Sequence, residues 1–229
     1  SGVKDEQGRP MARELAMVAL DAPTRAGPMS GDKWMSTFLH ELGHSIESGS
    51  GLRKHVFNLK YMDIKGDKNA RMLMEQAVSA SRERRPSSWS MLDANLESWR
   101  NGIPFHVPTA HELARMSFSE YQELVNLHAE AISLSGMDGD GFRDTVIQLK
   151  DQIDYLYKAP ELSADALASY MKNPVYMKKM YPELAAEIRN IVNNSDISKF
   201  ITFHTAAALA GTGAVMAIMQ SMLGAEDDE

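Results

Sequence analysis

The chain contains no cysteine among its 229 residues. It therefore has no disulfide, no cysteine nucleophile and no thiolate ligand, so a metal site in it must be built from histidines and carboxylates. Basic residues are fewer than acidic ones: the chain has 24 Lys and Arg but 31 Asp and Glu, which gives a formal net charge of −7. We expect no nucleic-acid partner, because such proteins need surplus cations to neutralise phosphates. The nearest approach to a basic stripe is Arg82, Arg84 and Arg85, which we interpret as a solvated helix end.

The start of the given sequence does not have the pattern of a secretion signal. Residues 1–6 contain a lysine but are not followed by an apolar stretch, so no signal peptide is predicted and we expect the protein in the cytoplasm or in a virion. Hydrophobic residues make up 44% of the chain and charged residues 24%, as in ordinary soluble globular proteins. The length is sufficient for one complete hydrophobic core.

Strand signals are few, and most of the chain has the pattern of helices separated by proline and glycine. The sequence predicts a mainly α fold with at most a small sheet, whose candidate strands are 61–64 and 105–107. The run 16–20 could be a strand or a helix end. The predicted helices run from Ser30 or Asp32 to about Glu47, and over 68–83, 88–99, 109–116, 118–134, 141–157, 160–172, 175–193 and 198–222.

The C-terminal part differs from the rest of the chain, because residues 200–225 include no charged side chain. We therefore divide the chain into a domain over 1–196 and an apolar C-terminal helix with an acidic tail over 197–229. The apolar segment is long enough to span a bilayer. Its composition is rich in alanine, which also suits a helix buried in the protein or in an assembly. Membrane contact and assembly contact both stay open for it.

The clearest chemical motif is His40-Glu41-Leu42-Gly43-His44, an H-E-x-x-H sequence within a predicted helix. Residues four apart lie on the same face of a helix, so both imidazoles can reach one ion. The glutamate beside the first histidine can then take a proton from a metal-activated water. The motif predicts His40 and His44 as zinc ligands and Glu41 as general base.

Two other stretches match only part of a metal-binding motif. His111-Glu112 begins like the motif above, but Arg115 stands where the second histidine should be. Residues 138–141 resemble the start of a calcium loop, but Leu149 occupies the position of the closing carboxylate. We interpret residues 138–141 as a turn followed by a helix cap.

A catalytic zinc usually has three protein ligands and one open position. The glycine-containing extension that supplies a third histidine is absent, because Ser50 occupies its place, so the third ligand should be a carboxylate. Glu161 is the preferred candidate, since Asp165 lies four residues later on the same helix face and can accept a hydrogen bond from a ligand imidazole. The rival is Glu130, which has no such carboxylate partner.

The combination of H-E-x-x-H with Glu161-Leu162-Ser163-Ala164-Asp165, an E-x-x-A-D sequence, resembles the gluzincin metallopeptidases, including the thermolysin-like, lethal-factor-like and CAAX-prenyl-protease groups. Residues 170–174 and 181–184 resemble the end of catalytic domains in phage and mobile-element polyproteins. The resemblance implies an α+β zincin-like fold and a zinc cofactor held by His40, His44 and Glu161. It further implies Glu41 as base, Asp165 behind a ligand histidine, and a protein or peptide substrate.

Such a peptidase often has a donor for the oxyanion that develops as water attacks the carbonyl. Tyr155 and Tyr157 lie shortly before Glu161, and Tyr155 is our candidate. The sequence thus predicts a zinc metalloendopeptidase. The alternative is a structural or delivery protein of virion type that retains a zincin fold without peptidase activity, an interpretation motivated by the uncharged segment 200–225.

Overall fold

The computed structural model describes residues 31–52 and 67–199. This part of the chain is 85% helical and contains no strand, which confirms the mainly α prediction. Its α helices are α1 Gly31–Ser50, α2 Lys68–Arg84, α3 Pro86–Gly102, α4 Ala110–Arg115, α5 Phe118–Leu134, α6 Gly139–Leu156, α7 Ala159–Lys172, α8 Pro174–Met180 and α9 Pro182–Asn193, and a short 3₁₀ helix follows at Asp196–Lys199.

The strand predicted at 105–107 is wrong, because these residues form an irregular connection between α3 and α4. Prolines on both sides of the segment disfavour ladder pairing. The candidate strand 61–64 and the run 16–20 lie outside the described residues, as does the segment 200–225. Within 31–52 and 67–199, no helix is long and apolar enough to cross a bilayer.

Side-chain caps mark where several helices begin. Ser117 accepts a hydrogen bond from the backbone of Glu120, and the Glu120 carboxylate accepts one from the Ser117 N–H, so the two residues form a capping box at the start of α5. Asp138 caps α6 by accepting from the N–H groups of Asp140 and Gly141. This geometry confirms the interpretation of residues 138–141 as a turn and a cap.

The helix predicted over 175–193 is divided at Tyr181 into α8 and α9. Pro182 is the first residue of α9, where its missing N–H costs nothing, but the same ring cannot continue a helix from the preceding turn. A single helix over this range was therefore a wrong prediction. The Tyr181 hydroxyl donates a hydrogen bond to Glu83 Oε1 at 2.7 Å, so the residue between α8 and α9 is bonded to the C-terminal end of α2.

The core is organised around α7, which packs along α1 on one side and along α2 on another. Leu162 and Leu167 of α7 are fully buried, as is Ile46 of α1. Burying such side chains is the main favourable contribution to folding. The pairing of α1 with α7 brings the H-E-x-x-H segment against the E-x-x-A-D segment, although they are far apart in the sequence.

Gly43 allows the close approach of these two helices. A Cβ atom at Gly43 would lie 2.6 Å from the carbonyl oxygen of Ala164 and 2.9 Å from its Cα. Both distances are shorter than van der Waals contact, so a side chain at this position would separate α1 from α7. The absence of a side chain at Gly43 is thus needed for the two motifs to meet at this distance.

We expect Gly43→Ala to destabilise the protein by about 1–3 kcal/mol, because the overlap with Ala164 exceeds the gain in helix propensity. Urea unfolding followed by circular dichroism measures this change. Gly102→Ala is the matched control, since a Cβ at the end of α3 meets nothing within 4 Å. A Gly43→Ala protein as stable as the wild type would contradict the close approach.

Candidate metal centre

His40 and His44 lie one turn apart on α1, and their ring centroids are 4.6 Å apart in an edge-to-face arrangement. Their side chains are 12% and 29% exposed, so both rings are shielded from water without being closed off. Leu39, Leu42 and Ile46 anchor the other face of α1 in the core. The predicted pair of histidines therefore shares one face of a firmly packed helix.

Glu161 approaches both imidazoles from the first turn of α7. Its Oε2 lies 3.4 Å from His40 Nε2, and its Oε1 lies 3.5 Å from His44 Nε2. Both separations are longer than a good direct hydrogen bond. They match the distance of about 3.3 Å between two ligand atoms of a tetrahedral zinc site with bonds of 2.0–2.1 Å. The three side chains are therefore of the right type for a zinc ion, each histidine lies at a suitable distance from one Glu161 oxygen, and one ligand atom from each residue lies within 4.8 Å of the others.

Among the described residues, His40, His44 and Glu161 are the one group of histidine and acidic side chains placed to hold a metal ion. The rival candidate Glu130 is exposed on α5 and does not belong to this group. The structure thus brings Glu161 to the histidines, as the sequence analysis preferred. Of the two candidate carboxylates, Glu161 is the one that lies on the same helix as Asp165.

Asp165 lies behind His40 and has no exposed side-chain surface. Its Oδ1 is 3.0 Å from His40 Nδ1, on the ring edge opposite the Nε2 that faces Glu161. A carboxylate at this position favours the imidazole with the proton on Nδ1 and leaves Nε2 with its lone pair for a metal. Asp165 therefore lies beside the ring nitrogen of His40 that does not face Glu161.

Two cations at the C-terminal end of α2, Arg84 and the capping residue Arg85, lie beside the same carboxylate. Arg84 Nε donates to Asp165 Oδ1 at 2.9 Å, Arg85 Nη2 lies 2.7 Å from Oδ2, and the Ser81 hydroxyl donates to Oδ2 at 2.5 Å. Arg85 Nη1 also donates to Glu161 Oε2 at 3.3 Å. Both carboxylates of α7 are thereby held by groups from a third helix.

These contacts decide the charge of the site. Burial raises the pKa of Asp165, but His40, Arg85 and Ser81 outweigh it and leave that pKa below its ordinary value. The pKa of Glu161 is likewise lowered, since contacts with His40 and Tyr155 outweigh the effect of burial. Burial and the neighbouring His40 lower the pKa of His44. At neutral pH the site thus contains two carboxylates and a neutral His44. Burial lowers the pKa of His40, but its contacts with Asp165 and Glu161 outweigh burial and leave that pKa raised, so a metal ion has to displace a proton from this ring.

The roles of Arg84 and Arg85 were missed by the sequence reasoning, which interpreted 82–85 as a solvated helix end. Their side chains are only 11% and 17% exposed. Arg82 does fit that interpretation, because it is 38% exposed and pairs with the surface residue Asp93. The available signal was the spacing of Ser81 and Arg84, which places both on one face of α2, with Arg85 following as the C-terminal cap of the helix.

The two tyrosine candidates have different surroundings. Tyr155 is 50% exposed, interacts with Glu161, and has its ring 5.3 Å from the Arg85 guanidinium. Tyr157 is buried and packs edge-to-face on Trp89 at 5.3 Å. Glu41 lies half-buried between the two histidines along α1. The structure therefore places Tyr155 beside the site and Tyr157 in the core.

Comparison of the chain with protein-family models, with curated proteins and with solved structures gave no match. The interpretation of the site therefore depends on the arrangement of this chain's own residues.

Proposed function

We propose that the protein is a zinc-dependent metallopeptidase of the gluzincin type, with His40, His44 and Glu161 as the metal ligands. The observation that carries the proposal is the position of the Glu161 carboxylate, whose two oxygens lie 3.4 and 3.5 Å from the two Nε2 atoms. Asp165 behind His40 supports it, because ligand histidines in such sites usually donate their other N–H to a carboxylate or carbonyl.

When bound, a zinc ion supplies Lewis acidity that polarises the scissile carbonyl and lowers the pKa of the attacking water. Glu41 is the general base that accepts a proton from this water and delivers it to the leaving amine as the C–N bond breaks. Asp165 holds the His40 ring in orientation through Nδ1. The half-exposed Tyr155 hydroxyl donates to the oxygen on which negative charge develops.

The peptide substrate follows from the resemblance to gluzincins, since the ligand set by itself supports only a hydrolytic metal site. A structural or delivery protein remains the alternative, and it depends on the segment 200–225 outside the described residues. Deletion of 200–225 should abolish binding to liposomes or to a partner protein if that segment has such a role.

The test begins with metal content. We expect the purified protein, stripped with a chelator and dialysed against zinc, to retain about one zinc per chain by mass spectrometry. Peptide-library cleavage should stop on chelation and return with zinc. His44→Ala should lose both properties, whereas His111→Ala, the first residue of the other His-Glu pair, should keep them. No zinc uptake would refute the metal site, and uptake without cleavage would refute the peptidase.

A further inference from the structure

Arg84 connects the two helices that carry the motifs. Its Nε donates to Asp165 Oδ1 on α7 at 2.9 Å. Its Nη1 donates to the Ser36 hydroxyl on α1 at 2.8 Å, and its Nη2 donates to the Ser36 carbonyl at 2.7 Å. One guanidinium at the end of α2 therefore makes three hydrogen bonds that join α1 to α7.

The location of these contacts relates them to the metal ligands. Ser36 lies one turn before His40 on α1, and Asp165 lies one turn after Glu161 on α7. A shift of either helix along the other would lengthen the contacts of Arg84 and change the distance between the imidazoles and the Glu161 carboxylate together. The three hydrogen bonds of the guanidinium go to Ser36 and Asp165, so Arg84 acts on the histidines through these two residues.

Arg84 also holds Asp165 in place beside His40. The Asp165 side chain has no exposed surface, and a buried carboxylate needs cations or hydrogen-bond donors to compensate for its lost hydration. Arg84 and Arg85 supply two such cations, through Nε at 2.9 Å and Nη2 at 2.7 Å. The same carboxylate has its Oδ1 3.0 Å from His40 Nδ1, the ring nitrogen that does not face Glu161.

We propose that Arg84 is a positioning residue that keeps α1 and α7 in register and holds Asp165 in place behind His40, and that it thereby sets the zinc affinity of the site. This inference rests on the proposed metal site but does not need peptidase activity. Lysine cannot replace Arg84 in this role, because an ammonium on a flexible stem does not present three donors in a fixed plane.

The experiment compares zinc affinity in Arg84→Lys, Arg84→Ala and Ser36→Ala with the wild type, by competition with a chromophoric chelator. We expect Arg84→Lys to weaken zinc binding by about 10- to 100-fold, the range for loss of a partner behind a metal ligand. Arg84→Ala should weaken it at least as much and Ser36→Ala less. Circular dichroism and thermal unfolding of each metal-free variant identify those that stay folded, and Arg84→Lys provides the test if Arg84→Ala does not.

The matched control is Arg143→Ala. Arg143 also uses its guanidinium between two side chains, Asn126 on α5 and Asp140 on α6, but away from the site. The zinc affinity of the Arg143→Ala protein should equal that of the wild type. The absorption spectrum after cobalt substitution should change in Arg84→Lys and not in Arg143→Ala, because it reports the arrangement of the ligands.

The outcomes separate this inference from the proposed function. A folded Arg84→Lys protein with wild-type zinc affinity and an unchanged cobalt spectrum would overturn the inference alone. A wild-type protein that binds zinc but cleaves no peptide would overturn the peptidase and leave the affinity comparison decisive for Arg84. A wild-type protein that takes up no zinc would overturn both.

Discussion

Replacing Glu41 by glutamine is expected to reduce kcat for peptide cleavage by about 10²- to 10⁴-fold, the usual contribution of a general base. Glutamine has the same shape but cannot accept the proton of the attacking water. Zinc should stay bound at about one ion per chain, because the group placed to hold the metal consists of His40, His44 and Glu161 and does not include Glu41.

Measurement of kcat and zinc content on the same preparation checks this expectation. Glu112→Gln is the matched control, since Glu112 follows a histidine in the same way but forms the capping box of α4, a role that glutamine also fulfils. Wild-type kcat in Glu41→Gln would assign the base to another residue. Loss of zinc in Glu41→Gln would show that Glu41 supports the metal site.

Removal of the Glu161 carboxylate should have the largest effect on the metal. We expect Glu161→Ala to weaken zinc binding by more than the roughly 100-fold that loss of an outer partner produces, because it removes a ligand and leaves two histidines. Glu161→Gln preserves the shape of the side chain and separates loss of the ligand charge from loss of packing. It should also weaken zinc binding.

Glu130→Ala is the control for this prediction, because Glu130 is the other carboxylate that the sequence allowed and it is exposed on α5. Its zinc affinity should be that of the wild type. If Glu130→Ala lost zinc and Glu161→Ala kept it, the site built from α1 and α7 would be wrong. Zinc content and chelator competition on the three variants decide between the two carboxylates.

Local patterns were sufficient for much of the secondary structure. Helix α5 has the bounds that the sequence predicted, because Ser117 and Glu120 form a capping box that depends only on residues three apart. The break at Tyr181 was missed although its cause, Pro182, is local. The strand predicted at 105–107 failed because a strand needs a partner, and no other described segment provides one.

Part of the site also follows from local patterns, and part of it does not. The sequence by itself determined that the site has no thiolate ligand, because the chain contains no cysteine. It also determined that His40 and His44 share one face of a helix, because residues four apart are about one helical turn apart. It left Glu161 and Glu130 as alternatives, because the choice between carboxylates on different helices depends on which helix packs against α1.

Only the tertiary structure decided what surrounds the histidines. The packing of α2 and α7 against α1 determines the close approach at Gly43 and the burial of the Arg84 and Arg85 side chains. It also places the Glu161 oxygens 3.4 and 3.5 Å from the Nε2 atoms of the two histidines. Contacts between residues distant in the sequence follow from core packing and burial of charge, which no local pattern of residues specifies.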